Sequence, residues 1–298
     1  MKLLLYLAAV LLCGGIPASA QEQLDEPPLV TAKAWAIADG SSGKLLWGWN
    51  PDVPQKAAST TKMMCAYEVL KLAEKNPAVL EEVVKFSTLA DRTTGSTSEI
   101  LAGEAVSVAD GLYALLLPSG NDMGNALAEH FNRRFPPPAP EEIASPAYAT
   151  RKNFIAEMNR AAATLGLVNT RYRLPYGDGG TAADRTTTAR ELLVVAHAAM
   201  QNALFRKIVA TPQYVASVRT PDGQTREITW KNTNKLLAMS AYDGIKTGGT
   251  PSAGSCLVAS GRRGSHHLLV TVIGSTSDAG RYVDTRNLFR WAWRELEK

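Results

Sequence analysis

Cysteine, histidine and blocks of like charge are all scarce in this chain. Three cysteines and four histidines occur among 298 residues. Cys13 falls within an apolar N-terminal run. Cys65 and Cys256 sit in apolar surroundings, Met63-Met64-Cys65-Ala66 and Cys256-Leu257-Val258. No Cys/His cluster has ligand spacing, so no metal site is expected, and no other cofactor is implied. The two downstream cysteines read as buried free thiols, since cysteine packs as a small hydrophobe. His130, His197, His266 and His267 lie in no motif, and structural roles are predicted for all four. Lys and Arg number 32 against 28 Asp and Glu, a formal net charge of +4 with no block of one sign. Nucleic acid is therefore a poor candidate partner, although a mildly basic surface is compatible with acidic polymers. Beyond the first 20 residues no apolar run is long enough to cross a bilayer.

Those first 20 residues read as an export signal. Lys2 gives a positive start, Leu3 to Leu12 is apolar, and Ala18-Ser19-Ala20 is a small-residue cleavage site. The mature chain is expected to begin near Gln21, in the periplasm or at the envelope exterior, with no membrane anchor after cleavage. The run is short for a retained anchor. A lipid anchor on Cys13 is disfavoured by the bulky Leu12 before it.

Apolar residues make up 45% of the chain, enough for a sizeable core. Residues 31–38 and 44–49 read as a β-hairpin around Ser41-Ser42-Gly43. Ser59 to about Lys75 reads as a helix that Asn76-Pro77 ends, and residues 107–117 as a second, ending at Pro118. Asn121 or Asp122 is expected to cap a third. Periodicity predicts further helices at 151–165, 188–200 and 278–297, with Leu288, Trp291 and Leu296 buried. Strands are predicted at 213–219, 225–231, 254–261 and 267–274. The Pro-rich stretch 136–146 reads as a surface loop. The expected class is α/β in the mixed α+β sense: an antiparallel sheet assembled from both chain ends and flanked by helices, plus a mostly helical subdomain. One catalytic domain is expected over 21–298. Its β-rich part covers about 29–57 and 205–298, and its helical part about 58–204.

Three short strings carry the chemistry: Ser59-Thr60-Thr61-Lys62, Ser119-Gly120-Asn121 and Lys246-Thr247-Gly248. Each alone is weak and has a bland reading as a helix cap or turn. In this order, behind an export signal, they form the S-x-x-K, S-x-N, K-T-G set of serine acyl transfer without histidine. A serine hydroxyl needs a base within hydrogen-bond reach. Residues i and i+3 share a helix face, so the Lys62 amine can reach Ser59. To act as a base, Lys62 must be uncharged, and burial beside a second cation, Lys246, favours that. Ser119 is expected to relay a proton, and Asn121 to hold a substrate amide group. The Lys246 ammonium suits a terminal carboxylate at the start of a strand where an extended peptide could add. Thr247 and Thr250 supply hydroxyl donors, and Gly248 and Gly249 let a ligand approach the backbone. The Ser59 and Gly249 N–H groups are the expected oxyanion donors.

The longer strings around these motifs resemble the D-alanyl-D-alanine carboxypeptidase family of low-molecular-weight penicillin-binding proteins. They are Ala58 to Met64, Leu117 to Asp122 followed by Ala126-Leu127-Ala128-Glu129, and Asn232 to Leu237 ahead of Asp243 to Gly248. The resemblance runs from about residue 30 to 295. It implies a β-lactamase/transpeptidase-like fold and removal of terminal D-alanine from peptidoglycan stem pentapeptides through an acyl-serine. It also implies covalent inhibition by β-lactams. Ser59 would be the nucleophile, Lys62 the base, Ser119 and Asn121 the second-element pair, and Lys246 the carboxylate anchor. The sequence departs from the family pattern at Ala57, at Cys65 and over Leu174-Pro175-Tyr176-Gly177-Asp178. Three alternatives share the motifs. One is a murein D,D-endopeptidase. Another is a class A-like β-lactamase, for which Glu141, Glu142 and Glu157 offer no Glu-x-x-x-Asn loop. The third is a non-catalytic β-lactam-binding protein.

Overall fold

The computed structural model describes residues 26–139, 149–177 and 186–298. The expected export signal with Cys13, most of the Pro-rich stretch with Glu141 and Glu142, and Asp178 lie outside the described residues. Two antiparallel sheets organise the rest. The first has five strands in the order β2-β1-β9-β8-β7. Its strands are β1 (Ala34–Asp39), β2 (Leu45–Trp49), β7 (Tyr242–Thr250), β8 (Gly254–Arg263) and β9 (His266–Ser275). It is assembled from both chain ends, as expected. Strands β8 and β9 are buried along nearly their whole length because helices cover both faces. On one face lies α8 (Asp278–Leu296), with Leu288, Phe289 and Trp291 against Trp35, Leu257 and Val270. On the other lie α6 (Ala189–Met200) and α1 (Lys62–Lys75), with Met63, Val69 and Leu192 in the larger core. Burying both faces demands near-continuous apolar strands, and Cys256-Leu257-Val258-Ala259 is one.

The second sheet corrects the sequence reading. Strands β5 (Gln213–Arg219) and β6 (Thr225–Lys231) form the expected hairpin but do not join the main sheet. They pair with two three-residue strands, β3 (Val83–Lys85) and β4 (Ala105–Ser107), in the order β3-β4-β5-β6. Such short strands leave almost no period-two signal. Their pairing is supplied by tertiary contact.

Helices α3 (Val108–Leu116), α4 (Asn121–Phe131) and α5 (Lys152–Thr164) surround α1. The short α2 (Thr88–Asp91) and α7 (Ala203–Val209) complete the set among the described residues. Two local expectations change. Gly120 is the N-cap of α4 and makes no side-chain cap, so neither Asn121 nor Asp122 caps it. The Asp122 carboxylate instead accepts from the Ser98 N–H at 2.7 Å, the Ser98 hydroxyl at 2.8 Å and the Thr97 hydroxyl at 2.8 Å. Strand β7 also begins at Tyr242, which places Lys246 mid-strand instead of at its start. Cys65 and Cys256 are both buried. No single helix among the described residues is long and apolar enough to cross a membrane.

Candidate active site

Ser59 lies in a 3-10 turn, Ala58–Thr61, that leads directly into α1. Ala58 holds φ at +49°, a left-handed conformation that costs a non-glycine residue free energy and persists only where its surroundings impose it. Those surroundings are tight on two sides. A side chain on Gly177, where φ is +103°, would lie 2.2 Å from the Ala58 carbonyl oxygen. One on Gly248 of β7 would lie 3.1 Å from Ala58 Cβ and 3.2 Å from the Ser59 nitrogen. Glycine at both positions lets two chain segments clamp the turn.

Lys62 opens α1 and is fully buried. Its Nζ lies 3.0 Å from Ser59 Oγ, 2.7 Å from Asn121 Oδ1 and 3.0 Å from the Tyr176 carbonyl oxygen. An uncharged amine has two N–H donors and one lone pair. Asn121 Oδ1 and the Tyr176 carbonyl can only accept; with an N–H given to each, the lone pair of an uncharged amine would face the Ser59 hydroxyl proton. The Asn121 amide is oriented for this by its other end, which donates to the Thr94 carbonyl at 2.9 Å. Both ends of that side chain are thus engaged within the protein, by bonds that use one of its two N–H groups and one of the two acceptor sites on Oδ1. The backbone carbonyl of Tyr176 carries no sequence signature, and nothing in the chain pointed to it.

Ser119 adopts φ +68°. Its hydroxyl is buried and has no hydrogen-bond partner among the described residues. It lines the same cleft as Ser59, Thr233, Thr247, Gly248, Gly249 and Thr250. The cleft has a volume of about 500 Å³. Its strand wall is β7, an edge strand whose outward N–H and C=O groups can pair with an extended peptide. Thr247 Oγ1 meets Thr233 Oγ1 at 2.7 Å, and Thr250 Oγ1 accepts from the Ala253 N–H at 3.0 Å.

Lys246 lies in the interior of β7. Its side chain is 1% exposed and its Nζ donates to the Thr247 carbonyl at 3.0 Å, behind the cleft surface. Burial, then the Lys62 and Arg281 charges, hold its pKa well below the ordinary lysine range. The cation on the cleft wall is Arg281, which the motif reading missed. It is set by the first turns of α8, and its Nη1 donates to the Gly248 carbonyl at 2.9 Å. No motif marks it. The one available signal was an arginine near the start of the last helix. Burial pushes the Cys65 thiol pKa strongly up, so Cys65 offers no reactive thiolate.

A serine, a buried amine aimed at it, a second unpartnered hydroxyl and a cationic cleft end make an acyl-transfer site. The sequence profile of the D-alanyl-D-alanine carboxypeptidases matches residues 21–133 and 141–277. The chain belongs to that family. It is 34% identical over 288 residues to a D-alanyl-D-alanine carboxypeptidase of a Streptomyces species, covering 96% of this chain and 94% of that one. Against the carboxypeptidase DacC of Escherichia coli the identity is 31%, covering 94% of this chain but 66% of the relative. The crystal structure of a Streptomyces DD-transpeptidase superposes with a TM-score of 0.79 at 33% identity, over 90% of this chain and 99% of that one. The carboxypeptidase DacD of Francisella tularensis gives 0.76 at 25% identity, over 94% and 75%. The mixed α+β fold with its antiparallel sheets is that of these enzymes.

Proposed function

We propose that the chain is an exported serine D-alanyl-D-alanine carboxypeptidase that trims peptidoglycan stem peptides. The observation that carries this reading is the Lys62 amine, buried and 3.0 Å from Ser59 Oγ. Ser59 Oγ attacks the carbonyl carbon of the penultimate D-alanine while its proton passes to the uncharged Lys62 nitrogen. The Ser59 and Gly249 N–H groups hold the oxyanion. Collapse breaks the C–N bond, and the proton travels from Lys62 through the Ser119 hydroxyl to the departing nitrogen of D-alanine. A water then adds to the acyl-serine as Lys62 takes its proton; the Ser59 Oγ–acyl bond breaks, Lys62 returns the proton to Ser59 Oγ, and the shortened peptide leaves.

In this reading Arg281 grips the terminal carboxylate on the cleft wall. Lys246 lies behind the cleft surface; burying two amines that feel each other's charge disfavours a proton on both, and in this reading Lys62 is the one left uncharged. A β-lactam with its ring carboxylate would enter the same way and acylate Ser59. A second outcome of the same acyl-serine is favoured by the likeness to a Streptomyces DD-transpeptidase: an amine could replace water as acceptor.

The test is one incubation, followed by mass, with a stem pentapeptide, a cross-linked dimer, a stem peptide plus an acceptor amine, and benzylpenicillin. Free D-alanine from the monomer and a stable penicillin adduct on Ser59 are expected. Dimer cleavage without monomer trimming would make the enzyme an endopeptidase. Rapid penicillin hydrolysis would make it a β-lactamase. An adduct without any peptide turnover would overturn catalysis altogether.

A further inference from the structure

The cleft carries one carboxylate among its described lining residues, and it stands beside the cation that the substrate needs. Asp278 Oδ1 lies 3.3 Å from Arg281 Nη1 and accepts from the Ser255 hydroxyl at 2.8 Å. The two side chains differ sharply in setting. The Arg281 side chain is 10% exposed, and that of Asp278 is 76% exposed. The arginine is held in place by burial and by Nη1, which donates to the Gly248 carbonyl. The aspartate can turn out to water, and Ser255 offers it a second partner.

We propose that Asp278 is an internal competitor for the substrate carboxylate. It balances Arg281 in the empty cleft and weakens the binding of peptides that end in a free acid. This rests on the reading of Arg281 as the carboxylate anchor. A carboxylate arriving at Arg281 meets a like charge that must yield, so part of the Arg281 attraction is spent on displacing Asp278. An exposed pair at this distance supports a modest effect, since such pairs are screened by water. A residue at the first turn of a helix also interacts favourably with the helix dipole. Replacing Asp278 by asparagine keeps a cap-compatible side chain and an acceptor for Ser255, while removing the charge that competes.

The experiment measures binding and turnover separately. An N-acylated D-alanyl-D-alanine peptide is titrated into Ser59→Ala and into Ser59→Ala with Asp278→Asn. Its C-terminal carboxamide analogue is titrated in parallel. The acid is expected to bind roughly 2–5-fold tighter when Asp278 is replaced, with no gain for the carboxamide. In the Ser59-containing protein, Asp278→Asn is expected to lower KM for the acid by the same factor, with the change absent from kcat. The gain is expected to vanish when Arg281→Ala is added. Equal or weaker binding of the acid by the Asp278→Asn protein, with D-alanine still released by wild type, would overturn the role of Asp278 alone. No D-alanine release by wild type would overturn the activity reading and this role with it.

Discussion

The helical wall of the cleft and its strand wall each bury one lysine, Lys62 at 0% and Lys246 at 1% exposure, and the two are used differently. Lys62 meets three oxygens, one of them the Ser59 hydroxyl. Lys246 donates to a backbone carbonyl of its own strand, and burial holds its pKa well below the ordinary lysine range. In the proposed function the helical wall, with Ser59, Lys62 and Ser119, makes and breaks bonds, and the strand wall, with β7 and Arg281, grips the substrate. Position decides the role of a buried lysine, because its partners and its distance to the reacting atoms are fixed by the element that carries it.

That division can be broken from either side. Replacing Ser59 by alanine is expected to abolish both D-alanine release and penicillin labelling, read by mass, while the protein still binds the peptide. Arg281→Ala on the strand wall is expected to cost roughly 10–100-fold in kcat/KM for a peptide acid, mostly through KM. A loss confined to kcat would blur the distinction between the walls. Asp122→Ala removes the carboxylate that ties residues 97–98 beneath the helical wall and leaves buried donors unpaired. A loss of about 3 kcal/mol in denaturant-unfolding stability is expected.

The smallest effect concerns Glu68 on α1, whose carboxyl pKa burial pushes up to about 7. Its pKa is raised on folding, so its contribution is fully present below about pH 4.5 and is lost as pH rises through about 7. Glu68→Gln is therefore expected to match wild type near pH 4 and to gain about 2 kcal/mol over it by pH 9. Thermal unfolding at several pH values checks this. A pH-independent difference would contradict it.

Much of this was legible in the chain, for physical reasons that also explain the gaps. Strands β5 and β6 alternate buried and exposed residues, so their bounds followed from period two alone. Their partners β3 and β4 have three residues each, too few to show a period, so the second sheet did not. Yet that sheet supports the site: Trp230 of β6 donates its ring N–H to the Ser98 carbonyl at 2.8 Å, beside the segment that Asp122 holds. The motif residues were legible because their types and order are restrictive. Tyr176 contributes a backbone carbonyl and Arg281 reaches back from α8 to Gly248. Neither a main-chain atom nor a contact across 33 residues leaves a local pattern.

The central claim is that an uncharged Lys62 takes the Ser59 proton, and one variant tests it most directly. Lys62→Arg keeps a cation but supplies no free base. The measurement is the second-order rate of acylation by benzylpenicillin, from intact mass, on folded protein. A fall of roughly 10³-fold against wild type is predicted. Acylation within about tenfold of wild type would remove lysine from the proton transfer and contradict the mechanism.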